Sequence, residues 1–232
     1  MRSLPARHRP PAANRHLPRT LDTCWRARPR VSGFRRDLAG GLVRGAATLR
    51  GITVDADHVA DDLESVLLTE DQIRARVQAM AAEIGKDYAD RDIVLVGVLG
   101  GAATFTVDLA RALESQVEID WMAIRSYTTS KRASGSVRLL KDLDLDIADR
   151  DVIIVETVIQ TGLTMSWLIA NLRQRGPASI AVAALLRKPD TPEFGVPTYI
   201  GFDVPAGLIV GYGLDYRGHY RNLRCAAVLA VR

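Results

Sequence analysis

From about residue 52 onward the apolar positions fall into two alternating patterns: unbroken β-branched runs and stretches at helical spacing. Thr69-Glu70-Asp71-Gln72 has the residues of a capping box, and Ile73, Val77, Met80 and Ile84 then recur on one helix face. Asp92 to Leu99 (DIVLVGVL) reads as a strand buried on both sides, ending in Gly100-Gly101. A helix is predicted over Ala103–Glu114, with Phe105, Leu109 and Leu113 inward, and a strand over Val117–Tyr127. Thr128 to Ser136 (TTSKRASGS) is polar, small and basic, and reads as a mobile loop. Val137–Leu140 returns as a strand, and Lys141-Asp142-Leu143-Asp144 closes that hairpin. Residues 151–155 (DVIIV) form another buried strand. The helix from Thr164 to Arg175 buries Met165, Leu168, Ile169 and Leu172 and stops at Gly176-Pro177. Ser179–Leu186 is a further strand, and short strands are predicted near Thr198–Phe202, Leu208–Tyr212 and Arg224–Val231.

Strands alternating with helices of this length imply an α/β domain with a mostly parallel sheet covered on both faces. Ligands of such sheets bind at the carboxyl ends of the strands. The Gly-bearing exits at 100–101, 162 and 211–213 are therefore expected to converge on one site.

Charge divides the chain in two. Residues 1–50 hold 12 Arg, 2 Asp and no Lys, a net +10 against +4 for all 232 residues, so residues 51–232 carry −6. Five of the ten prolines lie in the same first fifth, and its apolar residues have no sustained period. The segment reads as a disordered tail or an upstream start-codon extension. A basic arm for nucleic acid or an acidic partner, or a targeting peptide, are the alternatives. For the body, nucleic acid is not an expected partner. No apolar run reaches the length of a membrane span. Cys24 and Cys225 stand far apart and suggest neither a disulfide framework nor a metal cluster, which fits a reducing cytoplasm.

The chemistry-bearing residues cluster at predicted strand ends. Thr161-Gly162-Leu163-Thr164 turns from strand to helix, placing two hydroxyls and free backbone N–H groups where a phosphate can sit. Glu156, Thr157 and Gln160 lie between strand and turn. Gly100-Gly101 allows a second anion to approach the backbone, or is simply a tight turn. Asp215 follows a predicted strand and Arg221 comes six residues later: a carboxylate able to hold hydrated Mg²⁺ beside a diphosphate grip, or a surface salt bridge. Lys188 could donate to a carbonyl of a planar ligand, or be solvated. His58 and His219 have no partners at ligand spacing and read as structural.

Together these residues resemble the hypoxanthine-guanine phosphoribosyltransferase family over about Val54 to Leu229. Glu64-Ser65-Val66-Leu67 is similar to its N-terminal signature and VGVLGGA to its diphosphate loop. Ser126-Tyr127 with TTSKRASGS is similar to its mobile loop, and Lys141–Asp144 to the stretch before its sugar-phosphate motif. VGYGLDY with Arg221 is similar to its base and diphosphate end. The resemblance implies a type I phosphoribosyltransferase fold with a small hood from the terminal segments. It also implies transfer of ribose 5-phosphate from phosphoribosyl diphosphate to N9 of a 6-oxopurine with Mg²⁺, in a homodimer or homotetramer. It places the 5′-phosphate at Thr161, Gly162, Leu163 and Thr164, the purine O6 at Lys188, and the base near Leu208, Ile209 and Asp215. Mg²⁺ goes to Asp215, and diphosphate to Gly100, Gly101 and Arg221.

Four positions depart from that pattern. Thr157 and Gln160 replace two acids, Gly100 replaces a Lys, and Leu208 replaces an aromatic residue expected to stack on the base. The acid replaced by Gln160 lies beside the purine N7 in the family, and an amide cannot act as a general base. Loss of stacking at Leu208 costs roughly 1 kcal/mol or more. Three functions stay open: a slow or altered purine phosphoribosyltransferase, a repurposed enzyme that holds a nucleotide and condenses it with an amine or carboxylate, and a non-catalytic nucleotide sensor.

Overall fold

The computed structural model describes residues 57–127 and 136–230. The predicted tail, the loop residues 128–135 and Cys24 lie outside them, as do the side chains of His58, Ser126 and Tyr127. A short 3₁₀ segment, Asp57–Asp62, leads into β1 (Leu63–Leu68) and α1 (Glu70–Asp87). The Thr69 capping box forms as expected: its hydroxyl accepts from Gln72 N, and Gln72 Oε1 accepts from Thr69 N at 2.9 Å. Then follow β2 (Ile93–Leu99), α2 (Ala103–Ala112), β3 (Val117–Tyr127) and β4 (Ser136–Lys141). The second half runs β5 (Asp151–Ile159), α3 (Leu163–Arg173), β6 (Ser179–Arg187), β7 (Thr198–Asp203), β8 (Ile209–Val210) and β9 (Ala226–Leu229).

Six strands form one sheet in the order β4-β3-β2-β5-β6-β7, parallel except for the antiparallel edge pair β3–β4. This is the mostly parallel, helix-flanked arrangement of type I phosphoribosyltransferases. The central strand alternates between two cores. Ile153 and Val155 face α1 and α2 through Ile73, Ile84, Phe105 and Leu109. Val152 and Ile154 face α3 through Met165, Leu168 and Leu172. Because both faces are covered, β2 and β6 are apolar at nearly every position rather than alternating.

A second sheet, β1-β9-β8, is antiparallel and built from the two ends of the domain; it is the expected hood. Leu68, Ile209 and Ala226 join it to the core on the α1 and α2 side. The strand expected over Arg224–Val231 is confined to Ala226–Leu229, and two elements differ further from the sequence reading. β1 falls on the signature Glu64–Leu67, where no strand was predicted, because only cross-strand pairing with β9 gives that short run a reason to extend. The strand expected over Leu208–Tyr212 shrinks to two residues. Gly211, Tyr212 and Gly213 have φ of 92°, 48° and 92°, which an extended strand cannot contain.

Candidate active site

β5 runs out toward the site carrying Glu156 and Thr157 on successive, oppositely directed positions. Glu156 is half-buried, and its carboxylate accepts from Thr157 N at 2.9 Å and from Val158 N. Burial outweighs these two donors and pushes the carboxyl up to about 7. Thr157 points the other way, is fully buried, and donates its hydroxyl to the Gly101 carbonyl at 2.9 Å. In the sequence Thr157 stands among the candidate site residues, in place of a family acid. The structure instead spends its only donor on the loop after β2, so Thr157 supports that loop and offers a ligand nothing.

That loop is crowded. The Leu99–Gly100 peptide is cis, and a Cβ on Gly213 would lie 2.4 Å from the Gly101 oxygen. Gly213 therefore has to be glycine twice over, for its contact and for its φ of 92°. Arg221 completes the cluster. One guanidinium nitrogen donates to the Gly213 carbonyl at 2.6 Å, the other pairs with Asp215 at 2.6 Å, and the group lies 3.9 Å from where a Gly100 Cβ would be. The second Asp215 oxygen accepts from Gly218 N at 2.8 Å. Gly100, Gly101, Gly213, Asp215 and Arg221 are thus brought together as expected.

The Thr161–Thr164 turn, the expected phosphate site, stands at the start of α3. Gly162 is its N-cap in the left-handed region with φ of 71°, and no side chain caps the helix. The N–H groups of Thr161, Gly162, Leu163 and Thr164 have no backbone partner among the described residues, nor do the hydroxyls of Thr161 and Thr164 have any partner there. An open helix N-terminus with two spare hydroxyls is an anion cradle. Behind it lies the segment after β6: a Cβ on Gly162 would come within 2.6 Å of Pro192 and 2.9 Å of Phe194. Thr191, whose hydroxyl is 2.9 Å from the Gln160 carbonyl and 2.8 Å from that of Lys188, fastens that segment to the turn. Pro192, Phe194 and Thr191 escaped sequence reading because a Pro-Asp-Thr-Pro string looks like any surface turn.

Lys188 Nζ sits 3.3 Å from Gln160 Oε1 and 2.7 Å from the Gly207 carbonyl, and partial burial lowers its pKa. The sequence offered no sign of the Gly207 contact. Ile209 is buried in the hood, where it pairs with Val228, and the half-buried Leu208 accepts from Leu229 N at 2.9 Å. β5, through Thr157 and the Gly101 carbonyl, links the exit at Gly162 to the loop after β2.

A phosphoribosyl transferase domain model matches residues 66–217. The hypoxanthine-guanine phosphoribosyltransferase of Mycobacterium tuberculosis is 48% identical over 184 residues, covering 76% of this chain and 91% of that protein. The enzyme of the same name from Bacillus subtilis is 40% identical over 169 residues, covering 72% and 94%. A solved hypoxanthine phosphoribosyltransferase from Staphylococcus aureus, 35% identical, superposes with a TM-score of 0.70 over 75% of this chain and 95% of that one. With this sheet order, this hood and these relatives, the chain belongs to the hypoxanthine-guanine phosphoribosyltransferase family of transferases.

Proposed function

We propose that the protein moves ribose 5-phosphate between phosphoribosyl diphosphate and N9 of a 6-oxopurine, slowly or with altered preference. The open cradle at Thr161–Thr164, with its unpartnered N–H groups and hydroxyls, carries this reading. Thr161, Gly162, Leu163 and Thr164 hold the 5′-phosphate, Lys188 donates to the base carbonyl, and the Gly100-Gly101 loop with Arg221 takes the diphosphate. The C1′–N9 bond forms as the C1′–oxygen bond to diphosphate breaks. Gln160 cannot take the proton that the base loses, which passes to water instead, so turnover falls about 10²–10⁴-fold below that of an enzyme with a carboxylate there.

Magnesium fits the residues present in one mode. Among the described residues no three acidic, His or Cys side chains group as a protein cage. Asp215 is a single carboxylate beside an Arg, which suits a hydrated Mg²⁺ that arrives with the substrate's own phosphate oxygens. Asp215 would hold that ion, whose charge would help neutralise the leaving diphosphate. No helix among the described residues is long and apolar enough to cross a membrane. We propose a homodimer or homotetramer, read by light scattering, and residues 1–50 as a tail outside the catalytic domain 51–232.

A second reading, an enzyme that keeps a nucleotide whole and reacts it with an amine or carboxylate, is favoured by the neutral amide paired with Lys188. One assay separates the two. Incubation with Mg²⁺, phosphoribosyl diphosphate and hypoxanthine or guanine yields the monophosphate under the first reading. No monophosphate, together with thermal stabilisation by a purine nucleotide, supports the second.

A further inference from the structure

Gln160 and Lys188 fix each other's polarity. Lys188 Nζ is 3.3 Å from Gln160 Oε1 and donates to the Gly207 carbonyl at 2.7 Å. An ammonium has three donors and no acceptor, so only the carbonyl end of the amide can face it. The Gln160 NH₂ is thereby left as the outer end, and it has no partner among the described residues. Two of the Lys188 donors are spent on Gln160 and Gly207, and the third has no partner among the described residues. Gln160 itself is exposed at the end of β5. A ligand arriving here meets two adjacent donors, the Gln160 NH₂ and the remaining Lys188 N–H.

The edges of purines differ in how they answer such a pair. An N9-substituted 6-oxopurine presents two neighbouring acceptors, O6 and N7, whereas adenine presents N7 beside an amino donor. A free 6-oxopurine that carries its imidazole proton on N7 presents an acceptor beside a donor, and that donor would confront the Gln160 NH₂. Resting on the reading of Lys188 as the O6 contact, we propose that Gln160 is a specificity-determining residue. It donates to N7 and makes the site select the N9-substituted 6-oxopurine nucleotide over the free base protonated at N7. A carboxylate at this position only accepts when ionised and gives the opposite preference.

Guanosine 5′-monophosphate and its 7-deaza analogue, in which N7 becomes a C–H, differ in the one atom at issue. Calorimetric titration of the full chain is expected to show the 7-deaza nucleotide binding about tenfold more weakly, the cost of a donor left without its acceptor. In Gln160→Asp the difference vanishes or inverts, and in Gln160→Met, which keeps the length but has no donor, it vanishes. Equal affinity of the unmodified protein for the two nucleotides overturns the proposal and leaves the phosphoribosyltransferase reading standing. A tenfold preference that survives in both variants overturns it as well. If neither nucleotide binds, the underlying reading of the site is overturned.

Discussion

At the level of single residues, the departures from the family pattern have acquired partners. Thr157 stands where an acid was expected, and its hydroxyl is committed to the Gly101 carbonyl. Thr157→Val should cost about 1 kcal/mol in thermal or denaturant unfolding and raise the KM for phosphoribosyl diphosphate with little change in kcat, while Thr157→Ser restores both. Thr157→Asp should be worse than Thr157→Val, because it sets a buried carboxylate against a carbonyl oxygen. Glu156 gives a pH signature. Its carboxyl is raised from 4.5 to about 7, so between those values the folded protein keeps a proton that the unfolded chain has released. Stability therefore falls as pH rises through this window, and Glu156→Gln should remove that part of the decline when melting curves are compared from pH 4.5 to 8. The sequence made Glu156, Thr157 and Gln160 conspicuous by type. It could not show that successive residues on β5 point to opposite faces with different partners, since that needs the neighbouring strand and loop in place.

Elements were legible where one pattern governs them. α1 was readable from its capping box and four inward residues, and Thr69→Ala should cost about 1 kcal/mol of stability by chemical denaturation. β3 matches its sequence bounds because both ends are marked by polar turns. β1 and β8 were not readable in the same way. The first exists through β9, and the second is cut short by three consecutive positive φ angles. The turn into α3 belongs with them: its helix periodicity was plain, but the wall of Pro192 and Phe194 was not. Gly162→Ala adds a methyl group in the left-handed region and within 2.6 Å of Pro192. It should lower the melting temperature and weaken binding of ribose 5-phosphate, measured by calorimetry.

For the whole molecule, a mostly parallel sheet covered on both faces was implied by alternating strands and helices, and the hood by the resemblance rather than by any apolar pattern. The charge division is the feature least absorbed by the fold. The +10 of residues 1–50 lies outside residues 66–217, where the domain model matches. A chain starting at residue 51 should keep its turnover within about twofold, measured by nucleotide formation, if that segment is separate from catalysis.

The hood brings the two ends of the domain side by side. β1 pairs with β9 from Leu63 to Leu229, and Ala230 N donates to the Asp62 carbonyl at 2.9 Å. A few residues of linker could therefore join residue 230 to residue 57 without disturbing either sheet. Chain ends could then be reopened within the polar stretch 128–135, between β3 and β4. Such a circular permutant keeps β5, α3 and the hood continuous. The order in which this chain is synthesised is thus separable from the shape that holds its ligand.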